Sequence, residues 1–154
     1  SSTTVSGGTI ADIELTGLSF VADKAIIVDF RMLAAGGGLA LYIILNEDTT
    51  ATNYDSTISI DGGAAVTGNT PRVGDAVEIN DEVYIRVTLL PNSTQANTLV
   101  IARSSQCDNS VGVMNTTESS VIYNSSATIT AVGFRTNLAD VIISNGSTLR
   151  AYQV

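Results

Sequence analysis

Apolar and polar side chains alternate with a period of two along most of the sequence. In residues 83–89 (VYIRVTL) every second side chain is aliphatic, so the aliphatic side chains share one face. Residues 25–33 (AIIVDFRML) combine an apolar run with Asp29 and Arg31 on the opposite face. Such alternation is typical of half-buried β-strands, and no segment carries a 3.6-residue apolar stripe of helical length.

Turn signals divide these strands at short intervals. Glycines at 36–38, Asp61-Gly62-Gly63 and Asn145-Gly146 interrupt the pattern, and an Asn-Gly pair predicts a tight hairpin between its flanking segments. The polar stretch 104–119 is interpreted as a long loop. About ten short strands result, and they predict an all-β fold, an antiparallel β-sandwich that is jelly-roll-like.

One domain accounts for this pattern. No internal repeat or linker divides residues 10–154, which are predicted to form a single β-sandwich domain. Residues 1–9 are small, polar and glycine-containing, and they predict a flexible N-terminal arm. The first five residues of that arm are candidates for a contact that orders against a neighbouring subunit: Ser1, Ser2, Thr3, Thr4 and Val5.

The charge balance restricts the classes of partner and of chemistry. The 154 residues include 15 acidic and 7 basic side chains, a net charge of −8. So few cations cannot neutralise many phosphates, so neither nucleic acid nor an anionic membrane surface is expected as a partner. Histidine is absent and there is one cysteine, which removes the usual catalytic triads and most zinc sites. We therefore expect no enzyme and no cofactor.

A loop with several oxygen donors is the strongest candidate for a metal site. Asn46, Asp48 and Asp55 lie close together in the sequence, and Ca²⁺ takes six to eight oxygen ligands. Their spacing is not that of an EF-hand, and no glycine occupies the required turn. We expect solvated turn residues here, and no bound metal.

Two further candidates are given simpler interpretations. Paired carboxylates can perform glycoside chemistry, but the second acidic group has no tryptophan beside it to stack on a sugar, so a solvated acidic edge is expected. That group consists of Asp75, Glu78, Asp81 and Glu82. Cys107 lies beside Asp108 with no nearby Lys, so its thiol is expected to be incidental rather than reactive.

Two segments resemble β-sandwich virion proteins of tailed bacteriophages. Residues 41–54 read LYIILNEDTTATNY, similar to a strand and loop of the form LYxxxNxDTxxxNY in tail-fibre-like and capsid-decorating domains. Residues 129–134 (ITAVGF) and 146–152 (GSTLRAY) resemble the closing hairpin of the same proteins. The middle of the chain, residues 61–120, departs from that pattern.

The resemblance implies a non-enzymatic structural component of a virion, often a homotrimer, that binds the major capsid protein or another virion protein. A capsid decoration (cement) protein is favoured over a fibre domain, because the chain has no coiled-coil, collagen-like or β-helical element. The alternative is a subunit of a secreted microbial filament, at the cell surface, that assembles by donor-strand exchange. Four Asn-x-Ser/Thr triplets, beginning at Asn92, Asn115, Asn124 and Asn145, suit that alternative.

Overall fold

Twelve strands and one short 3₁₀ segment make up the part of the chain that the structure, a computed structural model, describes. The structure describes residues 1–4, 10–21, 23–36, 39–77, 80–92, 94–108, 112–125, 127–136 and 143–154. Of residues 39, 75–77 and 108 it describes the backbone alone. The strands are β1 Ser2–Thr4, β2 Asp12–Leu15, β3 Ile26–Leu33, β4 Leu39–Leu45, β5 Tyr54–Ile60, β6 Val66–Gly68, β7 Arg72–Val77, β8 Glu82–Asn92, β9 Asn97–Asp108, β10 Val113–Tyr123, β11 Val132–Thr136 and β12 Thr148–Gln153, and the 3₁₀ turn spans Ala51–Asn53.

The strands form two antiparallel sheets of unequal size. The large sheet has eight strands in the order β1-β12-β3-β8-β9-β10-β5-β6, and the small sheet has the order β2-β11-β4-β7. The chain changes sheet after most of its strands, as in a jelly roll. The predicted all-β antiparallel sandwich is confirmed, with twelve strands where the sequence suggested about ten. In the described part, no helix is long and apolar enough to cross a membrane.

Aromatic side chains join the two sheets in the core. Phe30 on β3 and Phe134 on β11 stack with ring centroids 4.6 Å apart and planes at 14°, and both are fully buried. Tyr54 and Tyr123, by contrast, are register partners within the large sheet and stack with ring centroids 5.0 Å apart. Truncating a buried Phe to Ala typically costs about 3–5 kcal/mol, so the Phe pair is a principal attachment of one sheet to the other.

A single strand register sets both faces of the large sheet. Val28, Val87 and Ala102 are neighbours across β3, β8 and β9, and all three point into the core. Each residue one step along these strands points outward instead, because successive side chains alternate between faces. The outward row beside this one begins with Asp29 and Arg86, which are register partners.

The loop interpretation of residues 104–119 is wrong. β9 continues to Asp108 and β10 begins at Val113, and the two strands pair without a register shift as far as Tyr123 and Thr98. Ser104 and Thr117 are register partners that lie buried on the inner face, where aliphatic side chains were expected of a strand. Ser and Thr fit the pleated surface and pair across strands, so this hairpin is hidden from a hydrophobicity pattern.

The Asn145-Gly146 turn forms but does not close the predicted hairpin. The amide of Ser147 donates to the carbonyl of Ser144 at 3.1 Å, and Gly146 has a positive φ of 89°. The strand that follows, β12, pairs with β1 and β3. Ile143 before the turn bridges Ile10 and Ala34 instead. The turn therefore leads from the bridge at Ile143 into β12 of the large sheet. Residues 141–142 of the predicted hairpin lie outside the described residues.

The first four residues of the expected arm belong to the large sheet. Ser2–Thr4 forms β1, antiparallel to β12, and the backbone atoms of Ser1 and Ala151 exchange hydrogen bonds of 2.8 and 3.0 Å. The strand contributes no fully buried side chain. Val5, the last of the proposed contact residues, lies outside the described residues together with 6–9.

Candidate functional site

The outward side of the large sheet is the candidate functional surface, and we call it the outer face. It is formed by the outward-pointing side chains of β12, β3, β8, β9, β10 and β5. The strand registers arrange these side chains in rows that run across the strands. The small sheet covers the opposite side, and none of the described residues forms a second layer on the outer face.

Asp29 is the centre of a polar cluster on the outer face. Arg86 binds its carboxylate through two nitrogens, with Nε 2.7 Å from Oδ1 and Nη2 3.2 Å from Oδ2. The hydroxyl groups of Tyr84 and Tyr152 donate to the same carboxylate at 2.9 and 3.4 Å. The cluster joins β3, β8 and β12, and the two-pronged geometry is the strong form of an Arg–carboxylate pair.

The cluster fixes the ionisation of its members. Hydrogen bonding from Arg86, reinforced by Tyr84, the Arg86 charge and Tyr152, outweighs partial burial and lowers the pKa of Asp29. Partial burial and the hydrogen bond to Asp29 raise the pKa of Tyr84. The hydrogen bond to Asp29 also raises the pKa of Arg86. The cluster is therefore an ion pair whose carboxylate also accepts hydrogen bonds from two tyrosine hydroxyl groups.

An exposed apolar patch lies on the outer face beyond the Asp29 cluster. Leu90, Leu99 and Ile122 are successive neighbours across β8, β9 and β10, and Ile101 is two residues along β9 from Leu99. All four side chains are 36–42% exposed. Contiguous exposed apolar residues, unlike scattered ones, mark interaction surfaces.

The outer face is electrically neutral within a strongly acidic chain. Its outward positions carry four arginines (Arg31, Arg86, Arg103, Arg150) and four acids (Asp29, Asp55, Glu82, Glu118). The chain has 7 basic and 15 acidic residues, so three basic and eleven acidic residues remain for all other positions. The net charge of −8 therefore belongs to the rest of the sequence.

The Asn46 side chain links its own loop to another by hydrogen bonds to backbone groups. Its Oδ1 accepts from the amides of Thr130 and Ala131 at 2.7 and 3.2 Å, and its Nδ2 donates to the carbonyl of Thr128 at 3.0 Å. Asn46 and Glu47 both have positive φ, 53° and 59°, so a tight turn aims Asn46 at the 128–131 segment. Its oxygen is occupied by protein donors.

Asp48 and Asp55 point to different partners. Asp48 accepts from Asn53 Nδ2 at 2.7 Å, from the Thr50 amide at 2.9 Å and from the Tyr123 hydroxyl at 3.2 Å. Desolvation raises the pKa of Asp48, but these hydrogen bonds outweigh it and lower the pKa overall. Asp55 accepts from Asn124 at 2.9 Å. Asn46 and Asp48 both reach the Tyr123 side chain, whereas Asp55 has a different partner, and no metal-holding acidic, His or Cys group occurs among the described residues.

The second acidic group is divided by the fold. Asp81 is fully buried and accepts a 2.7 Å hydrogen bond from Gln106, so the expectation of a solvated edge is wrong at this position. Burial beneath β9 gives that carboxylate a structural amide partner. Glu82 is exposed and pairs with Arg31 on the outer face. Glu78 and the side chain of Asp75 lie outside the described residues, and Cys107 is half-buried on β9.

A groove crosses the outward side of the small sheet. It has a volume of about 500 Å³ and is lined by Asp12, Tyr42, Ile44 and Arg135, among others. Gly133 lies beside it, where a Cβ atom would come within 3.1 Å of the Ile13 carbonyl oxygen. Burial and then the charges of Glu47 and Asp12 raise the pKa of nearby Glu14. Among the described residues, the lining includes no Ser, Cys, Lys or His side chain.

Sequence reasoning identified Asp29 and Arg31 as polar residues of a strand but did not bring Asp29 to Arg86, Tyr84 and Tyr152. The signal was present as outward tyrosines and arginines in alternating strands, yet the register between strands was needed to join them. Comparison of the sequence with protein-family models and with curated proteins gives no match. A function is therefore inferred from the residues and their arrangement.

Replacing Asp29 by Asn is expected to reduce stability in a pH-dependent way. The pKa of Asp29 is lower in the folded protein than the ordinary 3.8, so its contribution is complete above that value and is lost as the pH falls through the folded pKa. Because Arg86 is 55% exposed, solvent screening limits the loss to roughly 0.2–1 kcal/mol at pH 7. Urea titrations from pH 7 to pH 2 measure the difference between the two proteins.

The matched control is Glu118→Gln, which removes the more exposed pair with Arg103, 3.1 Å apart. A smaller loss is expected there. A difference for Asp29→Asn that grows as the pH falls would contradict the assigned ion pair.

Replacing Asn46 by Ala is expected to destabilise the protein without any involvement of metal. The variant loses hydrogen bonds to three backbone groups of the 128–131 segment, which costs roughly 1–3 kcal/mol. Asn69→Ala, at an exposed bend, serves as the control and should change stability by less than about 0.5 kcal/mol. Thermal unfolding with Ca²⁺ and with EDTA completes the test. A calcium-dependent rise in Tm that Asn46→Ala abolishes would show that the oxygens bind an ion.

Proposed function

We propose that the chain is a non-enzymatic structural protein of a bacteriophage virion, most simply a decoration (cement) protein that binds and stabilises the head. Its partners are then further copies of itself, as a trimer according to the resemblance, and the major capsid protein or another virion protein. Its location is the virion. A fibre domain of the tail is the other form of the same proposal.

The observation that carries the proposal is the composition of the outer face. Tyr84, Tyr152 and Arg86 lie beside an exposed apolar patch on the side of a sheet. Tyrosine and arginine are enriched at protein–protein contacts and supply much of their binding energy. An enzyme is expected instead to hold convergent reactive groups in a cleft. The face therefore supports a role in assembly.

The two segments that resemble virion proteins supply the second support. Residues 41–54 form β4, the turn at Asn46 and the start of β5, and residues 129–134 contribute the segment that Asn46 binds. Residues 41–54 and 129–134 are thus neighbours in the fold, whereas residues 146–152 run into β12 of the large sheet. An assembly protein that must withstand disruption benefits from such links between distant parts of the chain.

Locating the chain in particles tests the proposal. Phage particles produced by cells carrying the gene are purified and labelled with antibody raised against the recombinant chain. Immunoelectron microscopy is expected to show regularly spaced label on the heads, and mass spectrometry is expected to find the chain at a fixed ratio to the shell protein. Label confined to tails would move the assignment to a fibre domain. Label on cell-surface filaments, with particles unlabelled, would overturn the virion proposal.

A filament subunit that assembles by donor-strand exchange is the second candidate, at the cell surface or outside the cell, and β1 is the observation that favours it. The strand is held at the edge of the large sheet by its pairing with β12 and buries no side chain fully. The same pairing could be made by β1 of another copy, because backbone hydrogen bonds carry it.

A disulfide between positions 2 and 150 distinguishes these two arrangements. Ser2 and Arg150 are register partners next to the doubly hydrogen-bonded pair Ser1 and Ala151. They form a non-hydrogen-bonded pair, with Cα atoms about 4.5 Å apart, which a disulfide can span. In a Cys107→Ser background, Ser2→Cys/Arg150→Cys is expected to oxidise within one chain and run as a monomer on a non-reducing gel.

The control is Ser2→Cys/Asn69→Cys in the same background, with the second cysteine at an exposed bend after β6, at the opposite edge of the large sheet from β1, and it should not form the bond within a chain. A ladder of covalent multimers from the 2–150 variant, absent from this control, would show that β1 pairs with β12 of another copy and not with β12 of its own chain.

A further inference from the structure

In the charged row across the outer face, positions at equal distance from the middle residue carry opposite charges. Reading from β12 to β10, its residues are Arg150, Asp29, Arg86, Arg103 and Glu118, each the register partner of the next. The signs are plus, minus, plus, plus, minus. Arg150 and Glu118 at the two ends have opposite charge, and so do Asp29 and Arg103 on either side of Arg86.

We propose that the outer face binds the same face of a second copy of this chain, about a two-fold axis that runs along β8. Two sheets pack face to face about 10 Å apart with their strands within about 30° of each other. A rotation about β8 places β12 of one copy over β10 of the other, and β3 over β9. Arg150 then meets Glu118 of the second copy, and Asp29 meets Arg103, each pairing occurring twice.

The axis places each outward residue of β8 opposite its own counterpart, and two of these residues, Arg86 and Glu82, are charged. Glu82 pairs with Arg31 of its own chain. Like charges directly opposed are unfavourable, but Arg86 is already bound through two nitrogens to Asp29 of its own chain. The row as a whole therefore has four attractive pairings between copies, in addition to the pairs Asp29–Arg86 and Arg103–Glu118 within each copy.

The neighbouring uncharged row follows the same symmetry. Its members from β12 to β10 are Tyr152, Ile27, Thr88, Ile101 and Ser120. Rotation about β8 places Ile27 over Ile101 and Thr88 over Thr88. The exposed Leu90 of β8 likewise meets its own counterpart. Apolar side chains that are exposed in one copy are thus covered by apolar side chains of the other.

The size and charge of the outer face fit this occupant. Five strands of 6 to 12 residues, about 4.8 Å apart and about 3.4 Å per residue, cover roughly 800 Å². This area is what each partner of a stable complex typically buries. A chain with a net charge of −8 repels its copies over most of its surface, whereas the outer face carries equal numbers of basic and acidic residues. A contact between identical surfaces closes as a dimer, so this face favours a pair over the trimer implied by the resemblance.

This inference rests on the proposal that the outer face is an assembly surface, and it does not require a virion. Exchanging the charges at the ends of the row tests it by sedimentation equilibrium over a dilution series of the whole chain. The protein is expected to be a dimer that dissociates on dilution. Arg150→Glu and Glu118→Arg each place like charges opposite one another and should weaken the dimer at least about tenfold.

The double variant Arg150→Glu/Glu118→Arg should return the dissociation constant to within about threefold of the original, because the exchanged charges attract again. The two positions are four strand spacings apart within one chain, about 19 Å, which exceeds the screening length of about 8 Å at physiological salt. Restoration therefore reports a contact between copies. Glu47→Arg, the same charge change at an exposed turn off the outer face, is the control and should leave the dimer intact.

Ile101→Ser removes apolar contact without changing charge and should also weaken the dimer. Circular dichroism confirms that each variant is folded. A monomer at every concentration, a trimer, or a double variant as weak as the two single variants would overturn the two-fold pairing. Each of these results leaves the labelling of phage particles unaffected, so failure of the pairing and failure of the virion proposal are separate observations.

Discussion

The register of β3, β8, β9 and β10 is the constraint on which the rest of the molecule depends. It aligns Val28, Val87 and Ala102 under the small sheet, and the same register aligns Asp29, Arg86 and Arg103 on the opposite side. A slip of one residue would exchange the two rows and place charge in the core. The stability of the core and the chemistry of the outer face are therefore fixed together, and selection on the packing of Phe30 against Phe134 also preserves the arrangement of the charged row.

The fold class could be predicted from the sequence because period-two alternation is a local signal. It is clear in residues 83–89 and 25–33, which are the central strands β8 and β3. It failed in residues 104–119, where the inward positions of the strands hold Ser104 and Thr117 rather than aliphatic residues. Strand partners could not be predicted at all, since β12 pairs with β3 across more than 100 residues of sequence. No local pattern specifies which of several edges a strand will join.

The candidate site was predictable only in its parts. The sequence singled out the side-chain oxygens of Asn46 and Asp48 as candidate metal ligands. In the structure these oxygens accept hydrogen bonds from side-chain amide, hydroxyl and backbone N–H groups. The turn that aims them is a local feature, whereas Thr130 and Tyr123 are distant in sequence. The Asp29 cluster has the same origin: Arg86 and Tyr152 reach Asp29 only after three strands are in register. A side-chain cluster that depends on the pairing of distant strands cannot be predicted from the spacing of residues along the sequence.

The place of β12 between β1 and β3 has a consequence for how the protein is made. Until residues 148–153 have left the ribosome, β3 has an open edge with unpaired amides and carbonyls, although β8, β9 and β10 are already available to pair beside it. Such an edge is a template for pairing with another chain, and sheets built from distant segments form slowly. The nascent chain is thus exposed to misassembly during the interval before β12 emerges, and synthesis at high local concentration would favour chaperone-assisted folding.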